Sequence, residues 1–329
     1  GDDNDLTLNF SQAATVDGYS NVANFTSEGD VDLSGNFTTS GFQKYEGNVT
    51  LVGNTKLVAT TVEFTDGVTG NYRNLTLSPS DSFIKLDGIQ LSGVENLTID
   101  GNLSLSGNLS AGDIDIQGDT TLIGDANLTS EIVSCISSLQ ITLNGTVDGG
   151  HALSVNGATT FDGEIGGTTP LASLTTEGGD TSLGGNVTTT GNQNFGSDVT
   201  LTGDTKFVAG SKVGLNGLVG GGYNVEIDAG SAAIDAETHS VSGIADLTVP
   251  GDVGLNGVIA TTGDQSYGGE VVLQGDTTLT AKTGAISLGT GGEVAGASHT
   301  LTLGDASQTG DVTLSGDVSL DGLEVGNGA

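Results

Sequence analysis

The sequence predicts an all-β fold, a right-handed parallel β-helix, and three observations carry that expectation. Gly occurs 56 times and Pro only 3 times in 329 residues. Val, Leu and Ile alternate with Thr, Ser and Asp, the period-two mark of strands with one buried face. Short strands are separated by Gly-Asn or Gly-Asp corners, and whole blocks return at regular distances, as in a solenoid or array.

Composition narrows the alternatives. No strict Gly-X-Y period runs through the chain, which excludes collagen. An apolar content of 35% that alternates with polar residues argues against disorder. Met and Trp are absent and aromatics make up only 4%, so the core expected is narrow and filled by stacked Val, Leu and Ile. Gly and β-branched residues dominate most windows, which leaves helix signals poor.

The local beat is six residues, set by Asn96, Asn102 and Asn108. Asn and Gly tolerate the left-handed backbone that a sharp corner needs. Three strands with corners then make a rung of about 19 residues, and the chain holds about 17 rungs, a rod of roughly 80 Å at the usual strand spacing. A longer period lies above this beat. The block Thr38–Leu57 returns as Thr188–Phe207 and as Ala260–Leu279, with Gln43, Gln193 and Gln265 in equivalent places. Phe25, Leu97, Leu174, Leu247 and Leu323 precede related turns at spacings of 72, 77, 73 and 76. The expected units are 25–96, 97–173, 174–246 and 247–322, each spanning roughly four rungs. A propeller blade would be shorter, at about 40–50 residues. The alternation points Val49, Leu51, Val199, Leu201, Val271 and Leu273 inward, and Thr50 and Thr200 outward.

Residues 1–329 are expected to form one solenoid array cut mid-repeat at both ends. Leu323–Ala329 opens a fifth unit, and Leu6–Gly18 looks like the end of an earlier one. Neither end shows a polar cap, although solenoids need caps for solubility. The expectation is a longer parent chain or end-to-end contact between chains. The start at Gly1, without Met, reads as a processed or excised piece, and no signal peptide or transmembrane run is visible.

Charge limits the partners. Seven basic residues face 41 acidic ones, for a net charge of −34. Nucleic acid and bare anionic membrane are excluded as partners, because both need a basic face. The charge reads first as solubility and self-repulsion, and second as cation binding or life at high salt. The single cysteine, Cys135, cannot build a disulfide framework and reads as a small buried hydrophobe.

Few residues suggest chemistry. Tyr72, His151, Tyr223 and His299 recur at spacings of 79, 72 and 76, one repeat-equivalent slot at the mouth of a strand. A slot filled by Tyr or His reads as structural, and His239 shows no evident partner in the sequence. No Asp pair stands out from the repeats as the acid and base of a polysaccharide-cleaving β-helix, so no catalytic residue and no cofactor is expected. Ca²⁺ is a possible ligand, because Gly-Asp turns supply carboxylates and carbonyls, but the Gly-Gly-x-Gly-x-Asp nonapeptide of calcium β-rolls does not recur. Asn-x-Ser/Thr sequons stand at Asn9, Asn24, Asn36, Asn48, Asn74, Asn96, Asn102, Asn108, Asn127, Asn144 and Asn186. They are glycosylation candidates only where a secretory machinery exists. An Asn turn followed by a Thr-rich strand also writes the motif by chance.

The phrases TTGNQNFGSDVTLTGDTKF and GEIGGTTPLASLTTEGGDTSLGGNVTTTG resemble the β-strand-rich passenger regions of filamentous-haemagglutinin-like and autotransporter-type adhesins. The resemblance covers roughly residues 20–320. It implies a secreted or cell-surface protein and a role in adhesion. The leading expectation is therefore an adhesin stalk or passenger scaffold, with cell-surface or matrix carbohydrate or protein as partner. A self-assembling subunit of a filament, sheath or surface layer, meeting its own copies end to end, is the runner-up. A polysaccharide-degrading enzyme is a remote third.

Overall fold

The computed structural model describes residues 4–79, 84–87, 90–132, 139–305 and 309–326. Among them are thirty-two β-strands and no helix. The strands pair in parallel and stack as a β-solenoid. Cys135 lies outside the described residues. The chain divides into two compact units, Gly1–Asp162 and Gly163–Ala329.

In the first unit, three columns of strands line a narrow core. One column stacks Ala14, Val31, Val49, Val68, Leu91 and Leu109. The second stacks Phe37, Leu57, Leu77, Ile99 and Ile116. The third runs through Phe25, Gln43 and Val62. The second unit repeats the plan. Its first column passes Leu174, Gln193, Val213, Ala232, Val253, Val271 and Val294. Leu183 and Leu201 belong to its second column, and Val187, Phe207 and Ile227 to its third.

Among the described residues the stack makes about fifteen turns. Val31, Val49 and Val68 keep the expected beat, at intervals of 18 and 19 residues. Leu128 and its partner Val155 are 27 residues apart, and Val271 and Val294 are 23 apart. The strands on either side of these longer rungs still pair in parallel, with a register shift between Val272 and Thr277. The inward positions agree with the alternation: Val49, Leu51, Val199, Leu201, Val271 and Leu273 are buried. Thr200 is exposed and Thr50 half-buried.

The long repeat departs from expectation in an informative way. Within the second unit, Leu174 lies in the first column, Leu247 in the third and Leu323 in the second. In the first unit, Phe25 lies in the third column and Leu97 in the second. Within each unit a copy of the repeat therefore spans about three and two-thirds turns rather than four, so the next copy begins one column earlier. Local corner chemistry repeats, but on a different edge of the solenoid each time.

The three glutamines define the most elaborate of these corners. Gln193 sits in the first column of its unit and Gln265 in the third, yet their surroundings agree. Gln193 Nε2 donates to the carbonyls of Val187 (3.1 Å) and Val208 (2.8 Å). Gln265 Nε2 donates to those of Ile259 (3.2 Å) and Thr280 (2.7 Å). Gln43, in the first unit, does the same to Phe37 and Val58. A Thr four residues earlier closes each turn, as Thr189 Oγ1 does on the carbonyl of Gly191 at 3.0 Å. The Gln Nε2 thus bridges the corner and bonds carbonyls on two rungs, giving the buried donor the acceptors it requires.

Candidate functional site

Carboxylates and carboxamides are the commonest polar groups at the corners, and their geometry explains why. A strand entrance leaves a backbone N–H outside the regular ladder, and that donor needs an acceptor. In the second unit, Asp204 Oδ1 accepts the N–H of Asn224 on the next rung at 2.8 Å. Asn224 Oδ1 accepts that of Asp246 (3.2 Å), Asp246 that of Asp264 (2.7 Å), and Asp264 that of Ala285 (2.8 Å). The first unit builds the same device from Asn102, Asp119 and Thr146, at 3.0 and 2.9 Å. Asp and Asn alternate freely because each offers the one oxygen that the donor needs. The acidic corner residues read from the sequence are thus hydrogen-bond acceptors that tie rung to rung.

One stretch of this corner opens into a groove of about 310 Å³, lined by Asn186, Asp204, Lys206, Asn224, Glu226 and Asp246, with Thr205, Val225 and Thr248 beside them. Lys206 Nζ lies 2.7 Å from Glu226 Oε1 and 3.3 Å from Asp228 Oδ2. The hydrogen bonds to these two carboxylates hold the ammonium above the ordinary lysine range. The pairs are solvent-exposed, so their contribution to stability is small. The lining offers amides, carboxylates and hydroxyls on successive rungs, a set suited to a hydroxyl-rich ligand. Lys206 does not stand out in the sequence as a member of this group. Its signal was a basic residue placed among Asx corners in a chain with so few cations.

The histidines are each drawn to an aspartate. His239, which looked solitary in the sequence, has Asp198 Oδ1 3.0 Å from Nδ1. The partner is 41 residues away, and only the stacking of rungs brings it close. His151 and His299 lie 3.8 and 3.9 Å from Asp125 and Asp276. Those aspartates also accept the N–H of the residue after each histidine, Ala152 and Thr300, at 2.9 Å. His151 and His299 therefore share one local environment. Tyr223 also precedes a capped residue, Asn224. Tyr72 differs, because its backbone is left-handed at φ 63°, an uncommon state for a bulky residue. The cap also shifts there: Asn54 Oδ1 accepts the N–H of Asn74, two residues beyond Tyr72, so Tyr72 departs from the slot that His151, Tyr223 and His299 share.

Among the described residues no three His, Cys, Asp or Glu side chains gather in a way that could hold a metal ion.

The sequon asparagines fall into three sets. Asn9, Asn24 and Asn48 donate Nδ2 to Glu28, Asp5 and Asp30. Asn96 donates to Asn74, Asn144 to Asp115 and the Ile116 carbonyl, and Asn186 to Glu164. Asn74 and Asn127 are half-buried. Asn36, Asn102 and Asn108 are exposed, and no described residue hydrogen-bonds their Nδ2. The sequence matches no protein-family model, and comparisons with curated proteins and with solved structures find no match.

Proposed function

We propose that the chain is a secreted or cell-surface structural β-solenoid, a stalk or passenger scaffold of an adhesive protein, and not an enzyme. The observation that supports this reading is the unbroken chain of corner caps from Asp204 through Asn224, Asp246 and Asp264 to Ala285. Carboxylates that would be the acids, bases or ligands of an active site instead accept rung-to-rung N–H bonds. Such use favours a stiff, extensible support over a catalytic cleft.

The test is location together with turnover. Antibody labelling of intact source cells, with culture medium assayed alongside, should place the protein outside the cytoplasm. Purified protein should release no product from a panel of polysaccharides. A cytoplasmic location, or cleavage that disappears in His299→Ala, would overturn the proposal.

The groove around Lys206 favours a second reading, in which the scaffold also binds carbohydrate through its own corner. Lys206→Ala should then weaken retention on a glycan array with no change in thermal midpoint. Unchanged retention would remove this reading and leave the scaffold reading standing.

A further inference from the structure

We infer that Asn36, Asn102 and Asn108 are modified by N-linked glycan, which coats edges of the first unit with sugar. The inference rests on an extracytoplasmic location, since transfer needs a lipid-linked donor on the outer side of a membrane.

Two independent observations point to it. The first is a segregation that folding does not require. The corner cap needs one oxygen, and Asp and Asn supply it equally. Yet ten of the eleven sequons lie within residues 1–162 and one, Asn186, lies beyond. The Asp-x-Ser/Thr triplet has the opposite distribution: three before residue 163 and eight after it, among them Asp198, Asp246 and Asp264. The returning blocks show the loss at their one sequon position, where Asn48 is replaced by Asp198 and Glu270. Something other than capping selects the amide in the first unit.

The second observation is which amides the fold leaves available. Asn102 uses Oδ1 to accept the N–H of Asp119, while no described residue bonds its Nδ2. Asn36 and Asn108 are exposed, and no described residue takes up their side-chain amides. A sugar on any of the three keeps every rung contact. At Asn144 it would take a hydrogen from an amide that holds Asp115 and the Ile116 carbonyl.

The chemistry is a single substitution. Nδ2 attacks the anomeric carbon of an oligosaccharide carried on a polyprenyl diphosphate. The N–C bond forms, the C–O bond to the diphosphate breaks, the diphosphate leaves with the electron pair, and Nδ2 gives up one proton. Oδ1 is untouched, so a glycosylated Asn102 still caps Asp119.

The full-length protein from fractionated source cells is digested, and its peptides are analysed by mass spectrometry before and after enzymatic deglycosylation. Sugar mass is expected on the peptides of Asn36, Asn102 and Asn108, and Thr38→Ala should remove it from Asn36 alone. Exported protein with these three asparagines bare would overturn the inference while leaving the location intact. The amide would then serve only to dilute charge along the edges. Protein confined to the cytoplasm would overturn both. Sugar on Asn96 or Asn144 with none at these three would overturn the selection by geometry.

Discussion

The phenolic hydroxyl of Tyr267 donates a hydrogen bond of 3.0 Å to Oε1 of Gln265 inside the core. Tyr45 does the same for Gln43. At the third copy of this corner the aromatic is Phe195, and Gln193 Oε1 is buried without a partner. A buried unpaired acceptor costs about 1–3 kcal/mol of desolvation. Phe195→Tyr should therefore stabilise the protein by about 1 kcal/mol, and Tyr267→Phe should destabilise it by a similar amount. Urea midpoints of the two variants check both signs. A lower midpoint for Phe195→Tyr would mean that the hydroxyl cannot reach Oε1 at that corner.

The inward register is tested at adjacent residues. Leu201 is 2% exposed, while Thr200 faces solvent. Leu201→Ala should cost about 2–5 kcal/mol, from lost burial and the cavity left behind. Leu201→Asp should unfold the neighbouring rungs, because the carboxylate would have no partner. Thr200→Asp should stay within about 0.5 kcal/mol of the parent. Comparable losses at Leu201 and Thr200 would show that the strand faces the other way.

The parts of the fold that follow from period two were legible in the sequence, and the parts that follow from stacking were not. Val199 and Leu201 could be placed inward from alternation alone, since that rule is local. The column reached by Leu247 depends on every insertion before it, and the assumed four rungs per repeat misplaced it by one-third of a turn. The partner of His239 was invisible for the same reason, because Asp198 approaches it only across rungs. Gln265 stood out as a repeat marker, but its burial went unread. It occupies an inward position beside Tyr267, and a recurrent amide at inward parity was the available signal.

Alkaline pH probes the buried phenols. Desolvation pushes the Tyr45 and Tyr267 hydroxyls well above the ordinary tyrosine range, and neighbouring Tyr19 adds to the effect at Tyr45. Their folded-state values are raised above the unfolded value, so the folded state holds the proton more tightly. The stability linked to that preference is fully present below about pH 10 and is lost as pH rises above it. The urea midpoint of the parent should fall more steeply above that pH than the midpoint of Tyr267→Phe. Parallel alkaline slopes would show that phenol ionisation is not what opens the core.

The slot at the strand mouths is tested by exchange. His151→Tyr and His299→Tyr should each change stability by less than about 0.5 kcal/mol, because both side chains lie at partly exposed corners. Tyr72 should behave differently. Asn tolerates the left-handed backbone better than Tyr does, so Tyr72→Asn should raise the thermal midpoint. A drop at Tyr72→Asn would show that the exposed ring contributes more than its backbone strain removes.

The corner ladder separates geometry from charge at Asp246. Its Oδ1 accepts the N–H of Asp264, while its own N–H is capped by Asn224. Asp246→Asn keeps the acceptor and removes one of two stacked carboxylates, so stability should hold or rise slightly. Asp246→Ala removes the acceptor and leaves the Asp264 N–H to water, at a cost of about 1 kcal/mol. Salt supplies the second axis. It screens repulsion between exposed charges over about 8–10 Å, so any gain from Asp246→Asn should shrink as salt rises, whereas the loss from Asp246→Ala should persist. Urea midpoints of both variants at low and high salt make the comparison. Equal losses for Asn and Ala would mean that the rung depends on the carboxylate charge rather than on the oxygen that Asp and Asn share.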